Sequence, residues 1–288
     1  MRALAEFIMR GRTQAVGAAL LGSLIPLLAP ATVALVTLRR GPSEGLWVLL
    51  WGLLPVVIML ALQSAGAPLT LVGVLAVYGG ATLLRTSASW RHTLMGMVAI
   101  NTLGALLLGL LAPERVALLV ETLSDFIAQL QQQAPEPLPL PAVDATLVLG
   151  LAAALISLSS ILGLILGRWW QALLYNPGGF ASEFRALRLG PVEALVCAAA
   201  VGYCSLQPSN YGGWQVVFML PLVFAGIALV HGLAAQRNLA LPWLVAFYVM
   251  LVVLQPLYTM LAALAFVDTW LNFRGRKRQQ PPVDPHDN

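Results

Sequence analysis

Residues 45–84 read GLWVLLWGLLPVVIMLALQSAGAPLTLVGVLAVYGGATLL, a stretch without one Asp, Glu, Lys or Arg. The nearest acids on either side are Glu44 and Glu114, and the only basic residues between those two are Arg85 and Arg91. Charged residues make up 10% of the whole chain and mean hydropathy is +0.83. Soluble domains carry about 25% charged residues. A backbone surrounded by lipid has no water to bond, so it must satisfy its own N–H and C=O groups, and a helix does so locally. The composition therefore predicts an all-α, polytopic transmembrane helix bundle.

Working outward from that stretch, apolar runs predict eight spans: 14–38, 45–64, 69–84, 93–112, 143–167, 191–206, 214–236 and 243–267. Crossing the hydrocarbon takes roughly 20 residues, so 69–84 and 191–206 are marginal. Pro26 and Pro30 interrupt the first run, which reads either as one kinked span or as a hairpin of two short helices. Pro256 predicts a kink in the last. Residues 1–278 read as one integral membrane domain, and 279–288 as a disordered tail. With eight spans, the arginines and the single lysine divide equally between the two sides, so the positive-inside rule does not orient the chain.

Three segments fall outside the spans. Residues 113–133 place Val116, Val120, Leu123, Ile127 and Leu130 at helical spacing, with Glu121 and Asp125 among the remaining positions. That is one amphipathic, non-spanning helix, followed by a stiff Pro-rich return over 135–141. Residues 168–190 mix Trp, Tyr and Phe with Arg, which marks an interfacial loop. The start, Met1 to Arg12, is basic and amphipathic, and no cleavage site follows it. Cys197 and Cys204 have no metal or redox spacing and read as small buried hydrophobes.

Four constellations are candidates for function. Ala15 and Ala19, and Ala18 and Gly22, lie four apart in the first run, as Gly163 and Gly167 do in the fifth. Such pairs let helix backbones approach closely, within the protein or against a second membrane subunit. Polar residues at membrane depth are expensive, which makes Asn101, His231, Gln255 and Asp268 ligand-binding candidates. His231 also reads as a span end reaching water, and Asp268 as an interfacial partner of Arg274 or a loop arginine. The loop Arg85–His92, with Trp90 and Arg91, could hold a lipid phosphate or serve only as a positive anchor. The segment 207–215, with Asn210 and Trp214, reads either as a pocket mouth or as a tight turn.

Absences narrow the chemistry. The chain has no GxxxxGK(S/T) loop, no HExxH, no GxSxG, no His/Cys cluster and no carboxylate near the centre of a span. The expectation is a non-enzyme without metal or cofactor and without an ion-coupled carrier's buried acid. The net charge of +4 sits at loop ends, which suits lipid headgroups and not nucleic acid.

The Pro-broken segment IPLLAPATVALVTLRRG (25–41), the insert 113–133, NPGGFASEFRALRLGP (176–191), the HGL run at His231 and VDTWLNFR (267–274) occur in an order that resembles the YybS-like family of bacterial multispanning membrane proteins. That resemblance covers roughly residues 10–275. It implies a bacterial inner (cytoplasmic) membrane and a fold similar to the substrate-binding S components of energy-coupling-factor transporters. On it, the Ala15, Ala18, Ala19 and Gly22 face resembles the face by which S components dock on a coupling subunit served by ATPases. Eight spans depart from the six typical of S components, and vitamin-specific motifs are not evident. Two functions follow: a solute- or lipid-binding membrane subunit driven by separate ATPases, or a structural scaffold for envelope assembly or quality control, with envelope proteins as partners.

Overall fold

A computed structural model describes residues 1–23, 25, 27–64, 66–133 and 142–275. Every regular element among them is helical. The expected Pro26 break, the Pro-rich return and the tail from 279 lie outside the described residues, as do the basic residues Arg276, Lys277 and Arg278.

The first run is not one span. Helix α1 (Arg2–Arg10) leads to α2 (Arg12–Gly22), and α3 (Leu28–Arg40) then returns beside it. The chain turns at Leu27, whose φ of 67° lies in the left-handed region. Two contacts show the return. Arg40 at the end of α3 donates to the Met9 carbonyl (2.5 Å), and Arg12 at the start of α2 pairs with Glu44 just past α3. At 1.5 Å per residue, α2 and α3 are about 16 and 20 Å long, short of the ~30 Å hydrocarbon core. Of the two alternatives, the hairpin holds.

Small side chains build that hairpin into the bundle. A Cβ on Gly22 would fall 2.9 Å from Leu28, and one on Gly52 would fall 3.3 Å from Ala19. Ala15, Ala18 and Ala19 are buried. In α9 (Ala145–Tyr175) a Cβ on Gly163 would lie 2.8 Å from Pro30, and one on Gly167 would lie 2.6 Å from Ala34 and 2.8 Å from the Ala31 carbonyl. Both small-residue motifs are thus used for internal packing, and α3 is buried along most of its length.

Next come α4 (Pro42–Gly52) with α5 (Leu54–Ala61), α6 (Ala67–Ser87), α7 (Trp90–Leu111), α8 (Pro113–Gln133), α9, α10 (Gly179–Ala186), α11 (Pro191–Ser205), α12 (Gly212–Gln236), α13 (Leu241–Val253) and α14 (Pro256–Leu271). Among the described residues, five stretches are long and apolar enough to cross a membrane: Pro42–Ala61, α6, α7, α9 and Ser209–Gln236. Two bent pairs raise this to at most seven, α10 with α11 (67°) and α13 with α14 (117°). The protein is an all-α, multi-pass membrane protein.

Contacts at the helix ends sort the loops into two levels. One level ties the end of α3 to the ends of α6 and α9, through Arg85 and Gln171, both donating to the Leu38 carbonyl. It includes the pairs of Arg91 and His92 with Glu193, of Arg168 with Glu183, and of Arg188 and Arg274 with Asp268. Gln236, at the end of α12, donates to the Arg274 carbonyl there. The opposite level joins Arg115 to the Ser64 carbonyl, Asn210 to Asp144, and the Trp214 indole to the Thr146 carbonyl. Thus α11 starts at the first level and ends at the second, while the α13–α14 pair leaves the first level after Gln236 and returns to it. The expected last span, 243–267, is a second hairpin, broken at Pro256 because a proline cannot continue the preceding helix's bonding pattern.

Two non-crossing hairpins remove the charge tie. Every arginine among the described residues except Arg115 lies at the first level, whereas Glu114, next to Arg115, and Asp144 lie at the second. Helix α8 forms over the expected residues; of its apolar positions Val116 is buried, Val120, Leu123 and Ile127 are partly buried, and Leu130 is exposed. The segment 168–190 is less of a loop than expected. Helix α9 continues to Tyr175, and Trp170 is buried against α1 and not placed among headgroups.

Candidate functional site: an apolar cavity ending in a basic cup

Helices α9, α10, α12, α13 and α14 surround a cavity of about 1000 Å³. That is the upper end of the usual ligand-pocket range, about 300–1,000 Å³. Its walls are apolar: Leu158, Leu162 and Trp169 from α9, Phe180 and Phe184 from α10, Met219, Val223 and Ile227 from α12. Along α12 it runs from Val216 to His231, about 22 Å at helical rise.

Polar groups are few and placed at particular points. His231 Nε2 and Tyr248 Oη lie 2.8 Å apart, which links α12 to α13 near the arginine-rich level. The edge of Phe184 packs on the His231 ring, with centroids 5.8 Å apart. Gln255, Tyr258 and Thr259 line the cavity at the α13–α14 break. Arg185 stands at the arginine end.

The outermost wall is α13. Only Leu251 among its residues is buried, and Trp243, Val245, Val249, Val252 and Val253 face outward. A helix that is apolar all round and yet exposed in the isolated chain is one that faces lipid. Helix α13 forms part of the outer wall of the cavity through Tyr248 and Leu251, and the cavity is partly open to the surface beside it.

Arg185 also lines a second, shallower cavity of about 640 Å³, with Ser182, Arg188, Gln236, Asn272 and Arg274. Here α14 is fixed at its end. Arg274 donates to Asp268 (2.8 Å) and to the carbonyls of Arg185 (2.6 Å) and Leu187 (2.9 Å). Arg188 donates to the Thr269 carbonyl (2.6 Å), with its Nε 4.0 Å from Asp268. Asp268 also accepts from the Phe273 backbone N–H. Arg185 has no hydrogen bond or ion pair through its side chain among the described residues.

The residues singled out from sequence are thus dispersed. His231 and Gln255 line the cavity, and Asp268 organises the adjoining cup through Arg274, the partner expected of it. Asn101 is fully buried between α7 and α9, donating to Ser160 Oγ (3.0 Å), and lines neither cavity. Arg85 donates to the Leu38 carbonyl near the end of α3. Trp90 is buried edge-on to Phe180, and Arg91 and His92 flank Glu193. Asn210 and Trp214 tie α9 to α12 at the opposite level, so the 85–92 loop and the 207–215 segment lie at opposite ends of the bundle. Arg185, Arg188 and Tyr248 were missed. The mixture of arginine and aromatics in 168–190 was the available signal for the first two, and Tyr248 sits in an unbroken apolar run that gives none.

No protein-family model, curated protein or solved structure matches this chain.

Proposed function

We propose that this protein is a non-catalytic membrane subunit that binds a lipophilic molecule in the cavity behind α13. The single observation that carries this reading is a large, partly open apolar cavity with the weakly packed α13 as part of its outer wall. Apolar walls remove water from an apolar chain, and the few polar groups at the ends fix its orientation. The His231–Tyr248 bond acts as a latch on the movable wall. The arginine-rich level faces the cytoplasm, following the positive-inside rule, and the amphipathic α8 lies at the opposite surface. The YybS-like resemblance, the S-component analogy and a bacterial inner membrane remain part of this proposal. With α2–α3 and α13–α14 as hairpins, the contacts favour six crossings, nearer the S-component number than eight. The Ala15–Gly22 face is already covered, so a coupling partner with its ATPases would dock elsewhere.

Filling the cavity tests the reading. Leu162→Trp and Ala181→Trp place bulk in it from two walls. Wild-type protein in detergent should bind a pyrene-labelled long-chain fatty alcohol, and both variants should lose that signal while eluting as folded monodisperse protein. Equal binding by wild type and both variants would remove the cavity from the function.

A second reading, an envelope scaffold, is favoured by one feature. On α8, Leu118 and Phe126 are exposed beside Glu121 and Asp125, a surface suited to a partner protein. Crosslinking from residue 126 that captures a defined protein partner, with no lipophile bound in the cavity, would favour it.

A further inference from the structure

The apolar cavity and the basic cup share one residue, Arg185. We infer that the occupant is an anionic, phosphate-headed lipid, with its chain in the cavity and its headgroup in the cup. This rests on the lipophile-binding reading above and adds the headgroup chemistry and the residue that reads it.

The charge arrangement supports it. Three guanidinium groups line or border the cup, from Arg185, Arg188 and Arg274, and among the described residues Asp268 is the one carboxylate beside them. Asp268 does not neutralise the cup. It holds Arg274 at 2.8 Å and lies behind it, only 2% of its side chain exposed. Arg274 is immobilised by two further contacts to the carbonyl oxygens of Arg185 and Leu187, so the positive charge is fixed before any ligand arrives. The other nearby acid, Glu183, is committed to Arg168. Among the described residues Arg185 alone of the three is uncommitted, and it lines both the cavity and the cup.

Arginine suits this task. Its planar fork of donors matches the oxygens of a phosphate, and its weak hydration lowers the cost of working at a membrane interface. Gln236 and Asn272 add amide groups to the rim. The geometry also fits the bilayer. The cup lies at the arginine-rich level, where the positive-inside rule puts the leaflet with anionic headgroups. A lipid from that leaflet would carry its phosphate at the height of Arg185 and its chain alongside α12, toward Val216.

The test uses purified full-length protein in detergent micelles, with pyrene-labelled phosphatidic acid and pyrene-labelled diacylglycerol of the same chains. Wild-type protein should bind phosphatidic acid about tenfold more tightly than diacylglycerol, with the preference falling as salt rises. Arg185→Gln should lower phosphatidic acid binding to the diacylglycerol level and leave diacylglycerol unchanged. The side chain is exposed, and the backbone carbonyl that Arg274 uses is kept, so folding should not change. Leu162→Trp should abolish binding of both lipids. Equal affinity of wild type for the two lipids, or undiminished phosphatidic acid binding by Arg185→Gln, would overturn the headgroup assignment while leaving the cavity reading intact. Undiminished binding of both by Leu162→Trp would overturn the cavity reading itself. Displacement of phosphatidic acid by millimolar inorganic phosphate would show that the cup takes free phosphate, against a lipid headgroup.

Discussion

The two helical hairpins, α2–α3 near the start and α13–α14 near the end, are alike in plan and opposite in construction. Each leaves the arginine-rich level, reaches partway into the bundle and returns. In the first, the returning helix α3 is the buried one, its residues 31–38 enclosed without a gap, and glycines let α4 and α9 approach its backbone. In the second, the returning helix α14 packs on α12, where a Cβ on Gly226 would fall 2.5 Å from the Leu261 carbonyl. Its outgoing arm α13 has one buried residue and a single cross-helix hydrogen bond. Close packing across small residues makes a rigid element. A helix with few buried contacts belongs to the low-stability end of a structure, where movable parts are found. The same device serves as framework at one end of the chain and as cavity wall at the other.

The largest expected effect concerns topology. In a background with Cys197 and Cys204 replaced by Ala, single cysteines at Ala3 and Ser43, which flank the first hairpin, and at Arg237 and Asn272, which flank the second, should all react with an impermeant maleimide from the same side, and one at Glu121 only from the other. Labelling of positions 3 and 43, or of positions 237 and 272, from opposite sides would turn that hairpin into a span and end the comparison.

The next effect is energetic and should separate the hairpins. Gly167→Leu drives a side chain into Ala34 and the α3 backbone, where nothing flexible can yield. Overpacking costs about 1–3 kcal/mol, with more at backbone contacts, so folded yield should fall sharply. An unchanged melting temperature in detergent would show that α3 is not the rigid element described.

A smaller loss is expected at the fixed end of the second hairpin. Asp268→Asn leaves Arg274 and Arg188 facing each other without their carboxylate. Breaking a buried pair costs about 3–5 kcal/mol, and the partial exposure of Arg188 lowers this to roughly 2. The loss should appear as earlier unfolding of α14, with faster hydrogen exchange over 256–271. Exchange there equal to wild type would mean that other contacts hold the end of α14.

The smallest effect should be the most local. Tyr248→Phe removes one hydrogen bond, worth about 1 kcal/mol. Global stability should hardly change, while exchange over 241–253 should rise. If exchange rises equally over 28–40, the two hairpins are coupled and the contrast between framework and wall fails.

Much of this was legible in the chain. The absence of charge over 45–84 decided class and secondary structure, because lipid admits few backbone solutions. Pro256 marked a real break. The spacing of Val116, Val120, Leu123 and Ile127 located α8, and the pairing of Asp268 with Arg274 was readable from their nearness in sequence. Local signals say where a helix stops. They do not say whether the next helix continues forward or turns back, since both outcomes begin with the same interruption. That choice was made by contacts distant in sequence, such as Arg40 to Met9 and Gln236 to Arg274. It also decided the charge distribution, because each misread span reverses the side of every later loop.

Sequence by itself determined an all-α membrane protein, the break at Pro256, and the polar residues a bilayer makes expensive. Tertiary structure alone decided that two of the eight runs turn back, that the small-residue faces are spent inside, and that Arg185, His231 and Tyr248 border one cavity. Hydropathy acts residue by residue and is written along the chain. A cavity exists only where helices far apart in sequence fail to fill the space between them.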